Sequence, residues 1–397
     1  MMVDPGHKLA KSLRRRFLSI YFLPKVAAGS GWGAEQKGDD GTGSGRMRSR
    51  RWIVLGAVAA AGIMAAWPAA PARATCDPPA GNNVTATCTG TTTDQNTPNG
   101  YGTGTETNLS TTVVSGASVS GTTFGIFFDT GSVTNFGTIT GGLNGISANT
   151  ATVTNSGTIS GGNFGIFANT TANVTNFGTI TGGLDGMFAD TAATVTNSGI
   201  ISGGNFGIVA FGTATVTNSG TIAGGVDGIN ANTTTVTNSG TITGGFDGIN
   251  ATTATVTNSG IISGALNGIS ANTATVTNSG TITGTSSAGI EATTATVTNS
   301  GTISGGQFGI FVLNATVTNA GLISGGTAAL FFGSNADTLT LLPGSTIVGA
   351  INLGGGGDTV NFRTGNQNLT FDTLAGATVT STVPFAVAGN QVATIDP

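Results

Sequence analysis

Three aspartates recur at one place in a repeated phrase: Asp185 in GGLDGM, Asp227 in GGVDGI and Asp247 in GGFDGI. Carboxylates paired on neighbouring elements are what general acid–base work at a glycosidic bond requires. Asp227 and Asp247 lie one repeat apart, so they are the pair to consider. The supporting cast for such chemistry is thin. From residue 75 onward there is no His and no Lys, Arg363 is the one base, and Tyr101 is the one tyrosine. The same column also holds Asn144, Asn267, Phe164, Phe206 and Phe308. Asn or Asp ahead of Gly suits a turn. The column is therefore expected to form corners, and no catalytic or cofactor-binding residue is assigned.

Two further acids sit in Gly-rich surroundings: Asp337 in FGSNADTLTL and Asp358 in LGGGGDTVNF. Both phrases approach a nonapeptide calcium repeat, but such sites need tandem nine-residue spacing. Here the aspartates are 21 residues apart. Polar corners are expected, with a lone calcium near Asp337 or Asp358 left open, and no metal ligand is assigned. The Gly-rich stretches are followed by neither a helix nor a Lys. Residues 75–397 carry one base and thirteen acids, a net charge of −12 that repels phosphate backbones. Nucleic acid is excluded as a partner, and no cofactor is expected.

Charge divides the chain. Residues 1–74 hold twelve Lys or Arg and four acids, a balance of +8, in front of the acidic remainder. RMRSRR (46–51) is a basic n-region and WIVLGAVAAAGIMAAW (52–67) an uncharged apolar run. Ala72-Arg73-Ala74 then forms a small-x-small cleavage site before Thr75. The run has signal-peptide length and is short of the roughly 20 residues of a spanning helix. The reading is a signal peptide over 47–74, cut between Ala74 and Thr75, and hence export. Residues 1–46 read as a misassigned start ahead of Met47, or else as an extended N-terminal segment. Export brings Cys76 and Cys88 into an oxidising compartment, where a disulfide is the default state. A metal pair lacks further Cys or His ligands after the cleavage site.

What positions all these residues is a repeat. ATVTNSGTISGG at 151–162 returns unchanged at 295–306. Val-Thr-Asn recurs from Val133 to Val317 in steps of 20 or 21 residues. Val, Ile and Thr favour strands, while Gly and Asn mark corners. Within residues 151–170, alternation puts Ala151, Val153 and Asn155 inward, with Thr152 and Thr154 outward. Ile159, Ile166 and Ala168 point in, and Thr158, Ser160 and Phe167 point out. The unit reads as three short strands. One such coil cannot bury a core, but stacked coils can, each strand pairing in parallel with its own copy. An inward Asn is tolerable only if the Asn of the next coil or the corner backbone bonds it. The expected fold is all-β, a right-handed parallel β-helix of about 13 coils with 20–21 residues per coil. At about 4.8 Å per coil this is a stack near 60 Å long. The expected division is an N-terminal cap with the cysteine pair over 75–112, the helix over 113–362, and a C-terminal end over 363–397.

Signal peptide, paired cysteines, Gly/Thr/Asn-rich coils and scarcity of Lys together resemble the passenger of a type V (classical) autotransporter. The sharpest part is NADTLTLLPGSTIVGAINLGGGGDTVNF (335–362) with LTFDTLAGATVTSTVPFAVAGNQVATIDP (369–397), similar to the end of such a passenger just before its translocator barrel. The resemblance implies display at the cell surface or outer membrane, or secretion, and adhesion to an unidentified component of a host or neighbouring cell. It also implies an outer-membrane translocator barrel, whose alternating ten-residue strands are missing here.

The expected function is thus a non-enzymatic, adhesin-like surface protein. One outward column, Phe127, Ser147, Phe167, Phe188, Val209, Asn230, Asn250, Ser270, Glu291 and Phe311, is either an exposed binding stripe or a face covered by loops. Two alternatives stand beside adhesion. A carbohydrate-active, pectin-lyase-like β-helix enzyme would use the aspartate column. An ice-binding β-helix would use the outward Thr-x-Thr files, which resemble the ice-binding face of β-helical antifreeze proteins.

Overall fold

A computed structural model describes residues 75–363 and 365–394. The segment 1–46 and the expected signal peptide over 47–74, with Ala74, lie outside the described residues, and Thr75 is the first of them. Among the described residues no helix is long and apolar enough to cross a membrane.

The described residues form an all-β structure, most of it a parallel solenoid of about 13 turns. Every coil pairs in register with the coils before and after it. Val153 lies opposite Val133 and Val174, and Asn155 opposite Asn135 and Asn176. Three apolar columns fill the interior, exemplified by Val236, Ile242 and Ile249, all fully buried. The inward Asn column is buried as deeply, and its amides are satisfied three ways. Asn155 Nδ2 donates to Asn176 Oδ1 at 2.8 Å, to the Gly157 carbonyl and to the Thr179 carbonyl. Identical bonds recur down the stack, so each coil's polar partner is its own copy.

Two of the three expected strands are joined. Phe164–Asn176 runs unbroken through the corner between its Ile-Phe-Ala and Val-Thr-Asn parts. That corner contains no Gly, so the backbone stays extended while it bends. Between Phe124 and Asn319 the ladder opens at Asp190–Thr191, leaving Asp185–Ala189 and Ala192–Asn197 as separate strands, and it opens again after Phe332. The 21-residue coils place their extra residue at corners: the register shifts between Ala168 and Thr171 and between Ala210 and Thr213. The Val-Thr-Asn ladder itself never slips.

Parallel pairing extends beyond 113–362 at both ends. Thr85–Cys88 pairs with Leu109–Val113, and Thr91–Thr93 with Ser118–Gly121. The segment expected to be a cap is itself coiled, with antiparallel pairing confined to Cys76–Asp77 against Thr87 and Cys88 and to the bridge between Asn96 and Asn99. Thr378–Ser381 continues the stack on Thr359–Phe362. An antiparallel sheet of Gln367–Thr370, Gln391–Thr394 and Phe385–Ala388 stands at the C-terminal end.

Candidate functional site

The aspartate column does not form turns. Asp185, Asp227 and Asp247 each open a strand and are buried. The glycine that follows is required for a different reason than expected. A Cβ on Gly186 would lie 2.7 Å from the Gly207 carbonyl and 2.8 Å from Ile201 Cγ2, so only Gly lets the chain pass this close to the core. None of these corner glycines adopts a positive φ. Asp-Gly here signals close packing, not turn geometry.

Because the Gly and the following Ile both face the core, the residues on either side of them converge on the outside. The aspartate column and the outward aromatic column are therefore two walls of one notch running along the solenoid. Phe164 and Phe167 meet across it with ring centroids 5.2 Å apart. Asn230 Nδ2 donates to Asp227 Oδ2 at 2.8 Å, and Asn250 to Asp247 at 3.4 Å. This pairing of columns was not legible from strand alternation, which has no place for two consecutive inward residues.

The notch changes character along the axis. Phe164, Phe188 and Val209, with Phe167 and Phe206 against them, make a hydrophobic cluster separate from the main core. Phe167 and Phe188 stack nearly parallel at 5.2 Å. The outward aromatics are thus partly covered, mostly by each other and at Phe127 by the chain at Gly102–Gly104, which packs against its ring and carbonyl. An acid and amide stretch follows, from Asp227 to Glu291, and then Phe308, Phe311 and Phe331.

Asp185 lies between Phe164 and Phe206 in the ladder. It is 0% exposed, and no side chain hydrogen-bonds its carboxylate. Burial pushes it up to about 7, against a weak pull from the Phe206 amide. Asp247 is also pushed up to about 7, by burial first and then by the charge of Asp227. Asp227 and Glu291 are raised by burial, offset by hydrogen bonds from neighbouring amides. No base compensates: Arg363 is the one Lys, Arg or His of the described residues, and its amide is tied to Leu341 at the C-terminal end of the stack. The arrangement holds carboxyls whose burial favours the protonated form among phenyl rings and amides, with no Lys, Arg or His beside them among the described residues.

Asp337 and Asp358 are likewise buried rather than corner-exposed. Asp337 Oδ1 accepts the Ala315 amide at 2.6 Å, and Asp358 Oδ1 accepts the Asp337 amide at 2.9 Å. Each acid therefore ties its coil to the preceding one. Among the described residues no group of three or more His, Cys, Asp or Glu comes together to hold a metal. Cys76 and Cys88 are joined by a disulfide and buried. Tyr101 is also fully buried, its hydroxyl donating to the Pro78 carbonyl at 2.8 Å.

No protein-family model matches the chain, and no curated protein or solved structure shows detectable similarity to it.

Proposed function

We propose that the chain is a non-enzymatic exported surface protein, an autotransporter-like passenger that acts in adhesion or another cell-surface interaction. The observation that carries this reading is where the chemistry-bearing side chains lie. The repeated aspartates Asp185, Asp227 and Asp247 are buried in a notch without a partner base, whereas the exposed area includes long repetitive faces. Such a solenoid offers a partner many copies of one surface patch, and multiplied weak contacts give avidity. Protease added to intact producing cells tests it. The chain should be degraded from outside, and intact mass should place the mature N-terminus at Thr75. A chain that is protected until the cells are lysed contradicts the reading.

A second reading, ice binding, has one specific observation in its favour. From Thr194 and Thr196 to Thr296 and Thr298, every coil presents both threonines exposed and in register. The neighbouring Thr/Ser strand is mostly half-buried, so this face is distinct from it. Thermal hysteresis of the purified chain decides. Activity lost on replacing Thr255 and Thr275 with bulky residues supports ice binding, and no activity at millimolar protein removes it.

A further inference from the structure

The exposed large apolar side chains are unevenly placed. Most of them stand on or beside one face, built from the short strands that run in register from Thr138–Gly141 to Ile261–Gly264. Ile200 and Ile261, each nearly half exposed, point outward from these strands. Phe136 and Phe177 stand at the corner before the strands. Leu143, Leu184, Phe246 and Leu266 stand at the corner after them. No charged residue occurs on these strands or at either corner, although residues 75–397 carry a net −12. Apolar area left in water over so many coils is costly, and a contiguous patch of it marks an interaction surface.

The order of residues along the stack says what covers the face. On the outward ladder, three steps separate Ile200 from Thr138 and three separate it from Ile261. At the corner after the strands, backbone hydrogen bonds join a second column from Leu143 to Leu266, with Asn205 at its centre. Polar Thr123 precedes this column and polar Ser287 follows it. Turned end for end about Asn205, the column nearly matches itself. Leu143 falls on Leu266, Leu184 on Val226 and Asn205 on itself, and Phe246 on Asn163 is the one unlike pair. Asn205 and Ile200 belong to the same coil, so both columns share one centre. A patch that superposes on its own reversal is what an isologous contact requires.

We propose that this face pairs with the same face of a second copy, the two solenoids lying antiparallel about a two-fold axis at the level of Ile200. The size is sufficient. With Ser118–Gly121 and Thr281–Gly284, the uncharged levels next to either end, the face is about 40 Å long and about 20 Å from corner to corner. Pairing then covers about 800 Å² of each copy, the size of a stable specific interface. Charge points the same way, since two acidic copies repel least where neither carries charge. A lipid surface fits less well. It would leave Asn163 and Asn205 without partners among the leucines, whereas in the pair Asn205 meets its own copy across the axis. The pairing goes beyond the proposed adhesive role and does not depend on it.

Sedimentation equilibrium of the purified full chain tests the pairing, and a reversible dimer at micromolar concentration is expected. Ile200→Lys sets like charges together at the axis and should weaken the dimer by about tenfold or more. Asn163→Leu replaces the unlike pair opposite Phe246 with an apolar one and should tighten the dimer by about tenfold. Both positions are solvent-accessible, so an unchanged far-ultraviolet spectrum and melting curve of the dilute variants will show that the fold is kept. Cys76 and Cys88 are tied in their disulfide, so an added thiol is the one that reacts. A short bifunctional thiol reagent should link Ile200→Cys to its copy but leave Thr281→Cys, on the same ladder but far from the axis, unlinked. A chain that stays monomeric up to about 100 μM overturns the proposal. So does a dimer that neither Ile200→Lys nor Asn163→Leu alters, linking of Thr281→Cys as readily as Ile200→Cys, or binding of a monomeric chain to vesicles of neutral lipid. Pairing by a chain that adheres to nothing refutes the adhesive role alone, and adhesion by a chain that stays monomeric refutes the pairing alone.

Discussion

Asn218 donates its side-chain amide to Asn238 Oδ1, one coil on, at 2.8 Å, and accepts the amide of Asn197 from the coil before at 2.8 Å. A buried amide is costly unless bonded, and here repetition itself provides the bond. The file ends where Asn319 hands its amide to Ser345 Oγ at 2.7 Å.

Asn218→Ala takes the donor from Asn238 Oδ1 and from the Gly220 and Thr241 carbonyls, and one of three acceptors from Asn197. A loss of about 2–4 kcal/mol is expected in chemical denaturation. Ser345→Ala, at the end of the file, removes one acceptor and should cost about half as much. Equal losses at the two sites would mean that the file is not cooperative.

Val236 is buried and Thr237, beside it, is exposed. Val236→Asp sets an unpaired charge among the inward columns and should cost more than about 4 kcal/mol or abolish folding. Thr237→Asp should stay within about 1 kcal/mol. Thermal melts that rank the two in the opposite order would put the inward and outward faces one residue out.

Stability should fall as pH rises from about 4 to about 7. Asp185 and Asp247 are pushed up to about 7, so the folded chain binds these protons more tightly than the unfolded chain. Their contribution is complete below the unfolded value, about 3.9, and is lost as pH rises through the folded one. Each is worth at most about 4 kcal/mol. Glu106 works the other way. Burial raises it, but hydrogen bonds from the Thr103 hydroxyl and nearby amides prevail and hold it low. Its contribution is present above its unfolded value and lost as pH falls through the folded one. Denaturation midpoints should therefore peak near about pH 4, and Asp185→Asn should flatten the fall between about pH 4 and pH 7. An unchanged slope would show that this carboxyl is ionised in the folded chain.

Reducing the Cys76–Cys88 disulfide should loosen the N-terminal end first, since it closes the antiparallel contact of Cys76–Asp77 on Thr87–Cys88. A short loop of this kind contributes about 3 kcal/mol. Hydrogen exchange should accelerate around residues 76–113 and spare the coils near Val236. Uniform acceleration along the whole chain would show that the solenoid opens as one unit.

The interior was legible because its chemistry has a fixed period. Val-Thr-Asn and the inward Ile of the next strand, from Ile139 to Ile323, each recur every 20 or 21 residues, and strand alternation assigns their faces. The start of the stack was not legible. Its ladder runs Ala86, Thr111, Val133, with steps of 25 and 22 residues and no Val-Thr-Asn in the first two coils. The notch escaped for another reason. Asp-Gly carries a turn signature, and here Gly serves close approach to the core while Asp faces an outer cluster. What could have exposed it was the alternation of Asn-Phe with Leu-Asp at a single corner, an exchange of order that turn preference does not explain.

The claim that the solenoid works by holding a partner is tested most directly by retention of coated beads. Beads carrying the purified chain are settled on a lawn of neighbouring cells and washed under shear, with free chain as competitor. The account predicts that the beads are retained, that free chain releases them, and that heat-unfolded coating does not hold them. Retention no greater than with an unrelated acidic protein of similar charge would contradict it.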